Sequence, residues 1–260
     1  MAFRELLEGV SRDTAPVSVD LEMRDRTSAT GGMGVVYSDV IEAPGHSAAL
    51  DVLVRDRLCE VFSVSPGELI DVLAWGMANP EHPVLVDPSE AEVFQCRQEP
   101  VDLYGIPIPR HYQEDVGRYQ SASVIIAEYG GIRNMSYHRQ LLRDETHCVA
   151  RFVPRHLRTM YEMARANGDE VPIAVVNGAD ATVLLAAAMS FNENLDELTV
   201  AAALHNKLHG EPLRMVELPN GIAVPADSEY AMEARITLEL DDEGPYVDIT
   251  GTVDEVRQEP

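Results

Sequence analysis

From about residue 100 onward, strand-like runs keep returning after single helices, and this order constrains the fold more than any other feature of the chain. Residues 121–127 (SASVIIA), 148–153 (CVARFV), 171–177 (VPIAVVN), 232–240 and 246–250 read as strands. Helical spacing occupies residues 156–167, 179–189 and 195–208. The order predicts an α+β fold around a small barrel or sheet. A proline-punctuated stretch, residues 100–109 (PVDLYGIPIP), marks a boundary before it. Residues 1–100 mix shorter pieces. Residues 48–61 have helical spacing, and residues 82–86 (HPVLV) read as a short buried strand. Residues 66–78 follow Ser65, with Glu68 three positions on, which predicts a capped helix. The expected organisation is a small α/β domain over residues 1–100 and a second domain over residues 101–260.

Charge narrows the choice of partner. The formal net charge is −24, and Lys207 is the only lysine. Such a surface repels nucleic acid and anionic membrane. It also repels a phosphorylated cofactor, so a phosphate site would need a local cation or metal. No apolar run is long enough to span a bilayer. The opening MAFRELLEGVSRD reads as an amphipathic helix and not a secretory signal, which predicts a cytoplasmic protein. Cys59, Cys96 and Cys148 form no C-x-x-C pair, and we expect buried or semi-buried thiols.

Most single-residue signals are weak. Residues 31–34 (GGMG) lack the Lys-Ser/Thr of a phosphate loop and read as a flexible turn. His205 and His209 stand four apart on one predicted helix, a metal-compatible spacing. Without an H-E-x-x-H pattern they read as two exposed polar residues at a helix end. Taken alone, Asn134 would be a turn residue, His156 a polar helix start and Glu197 a solvated helix acid.

The ordered series is more specific. It runs IPIPRHYQEDVGRY (106–119), GGIRNMSYHR (130–139), FVPRH (152–156), VPIAVVNGADATVLLAAAM (171–189), NLDELTVAAAL (194–204), VPADSE (224–229) and EGPYVDITG (243–251). In this order the segments resemble the central region of the UbiD decarboxylase family, over about residues 100–252. The resemblance implies a flavin-reductase-like split β-barrel for residues 101–260, binding prenylated FMN. It implies a divalent metal held by Asn134, His156 and Glu197. Two oxygens and one imidazole suit manganese or magnesium better than zinc. The metal would bridge to the FMN phosphate. Ser136, Tyr137, His138, Arg139, Arg155 and the segment Ala187, Ala188 and Met189 would complete the cradle, with a potassium ion near that segment. Arg139, Glu243 and Asp248 would be the catalytic trio. An arginine fork holds a carboxylate, and a protonated Glu243, with Asp248 as partner, returns a proton to the carbon that CO2 leaves. The cofactor would come from a separate flavin prenyltransferase.

The sequence departs from the family pattern in two ways. The chain stops at Pro260, where family members continue into a further α/β domain that drives oligomerisation. Either the chain is a fragment, or a second polypeptide supplies that domain, or the enzyme works without it; a homo-oligomer is expected. Val247 stands where the family prefers glycine and Thr252 where it prefers tyrosine, which bears on how Asp248 is positioned. The leading expectation is a reversible, non-oxidative decarboxylase of an α,β-unsaturated or aromatic acid. The alternatives are a flavin-binding subunit of a split enzyme, or a non-catalytic flavin-binding protein. An ordinary FMN oxidoreductase comes last, because it would leave the acid–arginine trio without a task.

Overall fold

A computed structural model of the chain describes residues 3–189 and 195–260. The fold is α+β. The amphipathic helix expected over the opening residues is only a 3-10 helix, Phe3–Leu7, because Ser11–Asp13 is drawn into a sheet as β1; α1 (Glu22–Ser28), β2 (Val35–Tyr37) and β3 (Ala48–Leu50) follow. The three strands form one small sheet, closed by a cluster that includes Val17, Met23, Val35, Tyr37 and Val40. Residues 31–34 form a turn between α1 and β2, with Gly31 and Gly32 at positive φ.

Next come α2 (Arg55–Phe62) and α3 (Pro66–Ala78). The helix expected over residues 48–61 therefore starts only at Arg55, because Ala48–Leu50 pairs with β2 as a strand. Tertiary pairing has overridden local spacing there. The cap on α3 forms as expected: Glu68 N–H donates to Ser65 Oγ, and Ser65 N–H donates to Glu68 Oε2 at 2.8 Å. The strand expected at residues 82–86 shrinks to β4 (Val84–Leu85) and is exposed rather than buried, because it pairs at the rim of a small sheet.

The rest of the chain supplies β5 (Tyr119–Gln120), β6 (Val124–Tyr129), β7 (Ile132–Tyr137), β8 (Gln140–Leu142), β9 (Cys148–Ala150), α4 (His156–Asn167), β10 (Val171–Asn177), α5 (Ala181–Ala188) and α6 (Glu197–His209). It ends with β11 (Arg214–Glu217), β12 (Ala223–Pro225), β13 (Tyr230–Ile236), β14 (Asp241–Glu243), β15 (Tyr246–Val247), β16 (Val253–Asp254) and β17 (Arg257–Glu259).

The central sheet has the order β13–β10–β6–β7, antiparallel throughout, with β7 outermost. Gly130 and Gly131, both at positive φ, make the two-residue turn between β6 and β7 that the sheet twist favours. Alternation sends Ile125, Ala127, Ile173 and Val175 to one face, against Leu157, Met160, Tyr161 and Ala164 of α4. Val124, Ile126, Ala174 and Val176 face α5 and α6 on the other side. A sheet covered on both faces explains why β6 and β10 read as nearly continuous apolar runs. Among the described residues, no helix is long and apolar enough to cross a membrane.

The cysteines differ in exposure. Cys59 is buried, Cys148 is partly buried, and Cys96 is exposed, contrary to the expectation that all three are sheltered. Burial, and then the charge of Asp144, pushes the Cys148 thiol up to about 12. At pH 8 its thiolate fraction is about 10⁻⁴. Iodoacetamide at that pH should therefore add one group to the native protein, at Cys96. Peptide mass mapping that finds Cys148 labelled as fast as Cys96 before unfolding would contradict this.

Candidate active site

Strand β7 and the residues after it carry most of the candidate side chains. Alternation points Met135 into the core shared with α5 and α6. Tyr137 packs against the same core, and its hydroxyl donates to the Leu184 carbonyl of α5 at 3.1 Å. Burial pushes this phenol above its ordinary range. Asn134, Ser136 and His138 form a hydrogen-bonded row. Ser136 Oγ lies 2.7 Å from Asn134 Oδ1 and 3.0 Å from His138 Nε2.

Helix α6 brings Glu197 to this row. Asp196 caps the helix by accepting from Leu198 N–H, and Arg133 holds Asp196 from the strand side. Glu197 is 6% exposed. Asn134 Nδ2 donates to its Oε1 at 3.2 Å, and Met135 N–H donates to its Oε2 at 3.1 Å. Burial raises the Glu197 carboxyl above the usual carboxylate range, and Asp196 adds to the rise. The backbone donors and the nearby His156 work the other way. His156 opens α4, which packs against β7. The structure thus gathers Asn134, His156 and Glu197 around one strand.

Two observations test whether these residues fit a divalent cation. Among the described residues no arginine or lysine pairs with Glu197, so a buried carboxylate is met only by neutral donors and His156. The second concerns protons. His138 Nδ1 lies 3.0 Å from the Arg151 carbonyl, which can only accept, so Nδ1 carries the hydrogen. Burial, and then the charge of Arg155, holds His138 below its ordinary value, so its Nε2 is an acceptor. Ser136 then has one proton for two acceptors. A cation on Asn134 Oδ1 would free that hydroxyl to donate to His138. The residues fit a hard divalent ion held by two oxygens and one imidazole.

Arg139 follows His138. Its Nε and one terminal nitrogen donate to the two oxygens of Glu243 at 2.7 and 2.8 Å, a two-pronged pair. The other terminal nitrogen donates to Asp254 at 2.6 Å. The guanidinium lies 4.3 Å above the centre of the Tyr246 ring. Burial opposes the Arg139 charge, but the two carboxylates outweigh it and raise the group above its ordinary value. The Glu243 side chain is fully buried. Gly244, at φ +101, follows it in a turn so close to the Glu255 backbone that a Cβ would lie 3.0 Å from the carbonyl oxygen. The buried Tyr119 ring packs on Tyr246 at 4.6 Å between centres. Burial, and then the Glu243 charge, raises its hydroxyl.

Asp248 is not brought against Arg139. Its Oδ1 accepts from Thr250 N–H at 2.8 Å, Thr250 Oγ1 at 2.6 Å and Thr252 N–H at 3.1 Å, closing its own turn. The Thr250 hydroxyl, more than Arg139, holds its carboxyl below the usual range. Asp254 takes the third position of the cluster, and nothing in the sequence reading singled it out. A cue for Asp248 was present: Asp with Thr and Gly two and three positions on is the composition of a self-closing turn. Val247 sits comfortably as a buried strand residue, its N–H donating to Asp115 at 2.8 Å.

Arg155, at the start of α4, is exposed and close enough for its charge to act on His138. Ala187 and Ala188 end α5, with Met189 as its C-cap. Residues 190–194, which join this segment to α6, lie outside the described residues.

Residues 84–260 match the family model "UbiD: 3-octaprenyl-4-hydroxybenzoate carboxy-lyase Rift-related domain". An anhydromevalonate phosphate decarboxylase from Methanosarcina mazei is 38% identical over 208 residues, covering 79% of this chain and 47% of that protein. The chain thus spans about half the length of the curated relatives it matches. An evolved dimeric form of the UbiD-class enzyme HmfF from Pelotomaculum thermopropionicum, solved with prFMN, superposes with a TM-score of 0.93 at 27% identity. That match covers all of this chain and 63% of the other. The closed form of the vanillic acid decarboxylase ShVdcCD from Sedimentibacter hydroxybenzoicus shares the fold, with a TM-score of 0.90 at 19% identity, over 99% of this chain and 60% of that one.

Proposed function

Because this chain belongs to the UbiD family, we propose that it is the flavin-binding, catalytic part of a non-oxidative decarboxylase that removes CO2 from an unsaturated or aromatic acid. One observation carries the proposal: an acid–arginine–acid cluster built on the fully buried Glu243 lies five residues along the backbone from a buried Asn134–Glu197 pair that no arginine or lysine among the described residues neutralises. The first arrangement suits chemistry on a carboxylate, and the second suits holding a phosphorylated cofactor.

Asn134, His156 and Glu197 would hold manganese or magnesium, which would offset the repulsion between an acidic chain and the FMN phosphate. Ser136, Tyr137, His138, Arg139 and Arg155 would line the cradle with Ala187, Ala188 and Met189. The last turn of α5 presents carbonyl oxygens at the negative end of its dipole, which would suit potassium. Bound prenylated FMN would supply the electron sink that no side chain here provides.

The remaining work falls to the chain's own residues. Arg139, oriented by Glu243, would bind the substrate carboxylate on the nitrogen that Asp254 now occupies. Breaking the bond to CO2 leaves an electron pair on carbon. Glu243 would act from its carboxylic acid form, with one of its two Arg139 hydrogen bonds given up; passing that proton to the carbon would leave the carboxylate that Arg139 pairs in the structure. The reverse sequence carboxylates, so the reaction is reversible. The full burial of Glu243 keeps competing water away. Asp248, which closes its own turn, would act through the backbone that carries Tyr246 and Val247. The relatives favour an unsaturated acid that also bears a phosphate.

A separate flavin prenyltransferase would provide the cofactor. A second subunit, or further sequence, would cover the flavin and build an oligomer. No basic surface for nucleic acid or anionic membrane is expected at a net charge of −24.

The test is a native mass spectrum of the chain co-expressed with a flavin prenyltransferase. We expect a mass increment equal to prenylated FMN plus one divalent ion, and turnover of an unsaturated acid by the loaded protein. A bare chain mass under those conditions would overturn the reading that these residues form the site by themselves.

A further inference from the structure

At the far end of the α5–α6 pair, away from the flavin cradle, lies a second cluster of metal-binding groups. His205 and His209 stand one turn apart on α6, so their rings share a face. The rings meet edge to face with centres 4.6 Å apart. The expectation that both are exposed is overturned: His205 is 4% exposed and the His209 side chain 10%. Asp180, which caps α5, faces them because the two helices pack side by side. Its Oδ1 accepts from Thr182 N–H at 2.8 Å, and its Oδ2 lies 3.6 Å from His209 Nε2.

The donor atoms are oriented as a metal needs them. His205 Nδ1 lies 3.1 Å from the Glu211 carbonyl, which can only accept. Nδ1 therefore carries the hydrogen, and Nε2 presents a bare lone pair. This is the outer contact that fixes metal-binding histidines elsewhere. His209 Nε2 is fully buried and has no hydrogen-bond partner among the described residues, an arrangement that costs free energy unless something binds it. One ligand atom from each of the three residues lies within 4.8 Å of the others. Tetrahedral zinc holds its donors about 3.4 Å apart. The group would have to contract by at most roughly 1.4 Å, and the Asp180–His209 edge is nearly there. The negative end of the α6 dipole also favours a cation at this place.

We propose that Asp180, His205 and His209 form a second metal site, selective for a borderline divalent ion of the zinc class. Two imidazoles and one carboxylate suit such an ion better than manganese or magnesium. With water as the fourth ligand, the ion would clamp the N-terminus of α5 to the C-terminus of α6. Glu197 begins α6, so the second site stands about 12 to 18 Å along the helix from the first. The site does not depend on the flavin reading.

The test uses the full chain, stripped of metal by a chelator and titrated with zinc, or with cobalt as an optical probe. Glu197→Gln provides a background in which the first site is disabled. In that background we expect one zinc per chain by elemental analysis, a higher melting temperature on adding zinc, and the intense visible bands of four-coordinate cobalt. His209→Gln in the same background should weaken zinc binding at least tenfold and remove both the bands and the thermal response. Asp180→Asn should do the same, and stands in if the histidine variant fails to fold. Undiminished zinc binding in both variants would overturn the proposal. Absence of zinc from the Glu197→Gln protein, or cobalt bands of six-coordinate type only, would overturn it equally.

Discussion

Arg139→Ala is expected to abolish decarboxylation by the loaded enzyme while leaving the flavin bound. Removing a preorganised charge at the reacting group lowers turnover by about a thousandfold. The structure adds a second consequence. Glu243 has a fully buried carboxyl that shares two hydrogen bonds with Arg139. Deleting the arginine strands that carboxyl, at a cost of about 3 to 5 kcal/mol in stability. Activity and folding must therefore be separated. Arg139→Lys keeps the charge but loses the planar fork, and should remain largely inactive. Arg139→Ala combined with Glu243→Gln should recover much of the lost stability and none of the activity. Turnover and chemical denaturation, measured on the same preparations, check both halves. Full activity of Arg139→Ala on a proven substrate would end the proposed mechanism.

The second large effect is expected at the metal. Glu197→Gln and His156→Ala should each empty the first site and weaken flavin binding by more than about a hundredfold, since losing even an outer partner of a metal ligand costs 10- to 100-fold. The reason is electrostatic. A chain of net charge −24 has little reason to hold a phosphate unless a cation lies between them. Elemental analysis and a fluorescence titration with FMN measure the two losses. The losses should occur together, and adding manganese should rescue neither variant. A variant that keeps flavin affinity without metal would show that the phosphate is held by other groups.

Much of the fold, and the residues that the structure brings together as a candidate site, could be picked out of the sequence for identifiable physical reasons. Strand β10 and helix α4 follow strong periodic signals and appear with the expected bounds. Asn134, His156, Arg139, Glu197 and Glu243 came from an ordered series of short segments, and no residue type alone would have found them. The misses share a cause: the deciding contact lies far away in sequence. Ala48–Leu50 has helical spacing, yet a strand partner claims it. Val84 and Leu85 look like core residues but pair at a rim. His205 and His209 looked solvated because nothing local announces Asp180 across the helix pair. Asp254 reaches Arg139 over 115 positions, and no spacing rule spans that.

The position of β7 at the border of its sheet has one more consequence. A border strand exposes backbone donors to which another chain can add, and such borders are a common starting point for aggregation. Here the Met135 N–H is taken by the Glu197 carboxylate. The start of α6 covers that part of the border, and the buried Glu197 carboxylate already holds the donor a second strand would need. The carboxylate assigned to the metal would thus also act as a gatekeeper against edge-to-edge association.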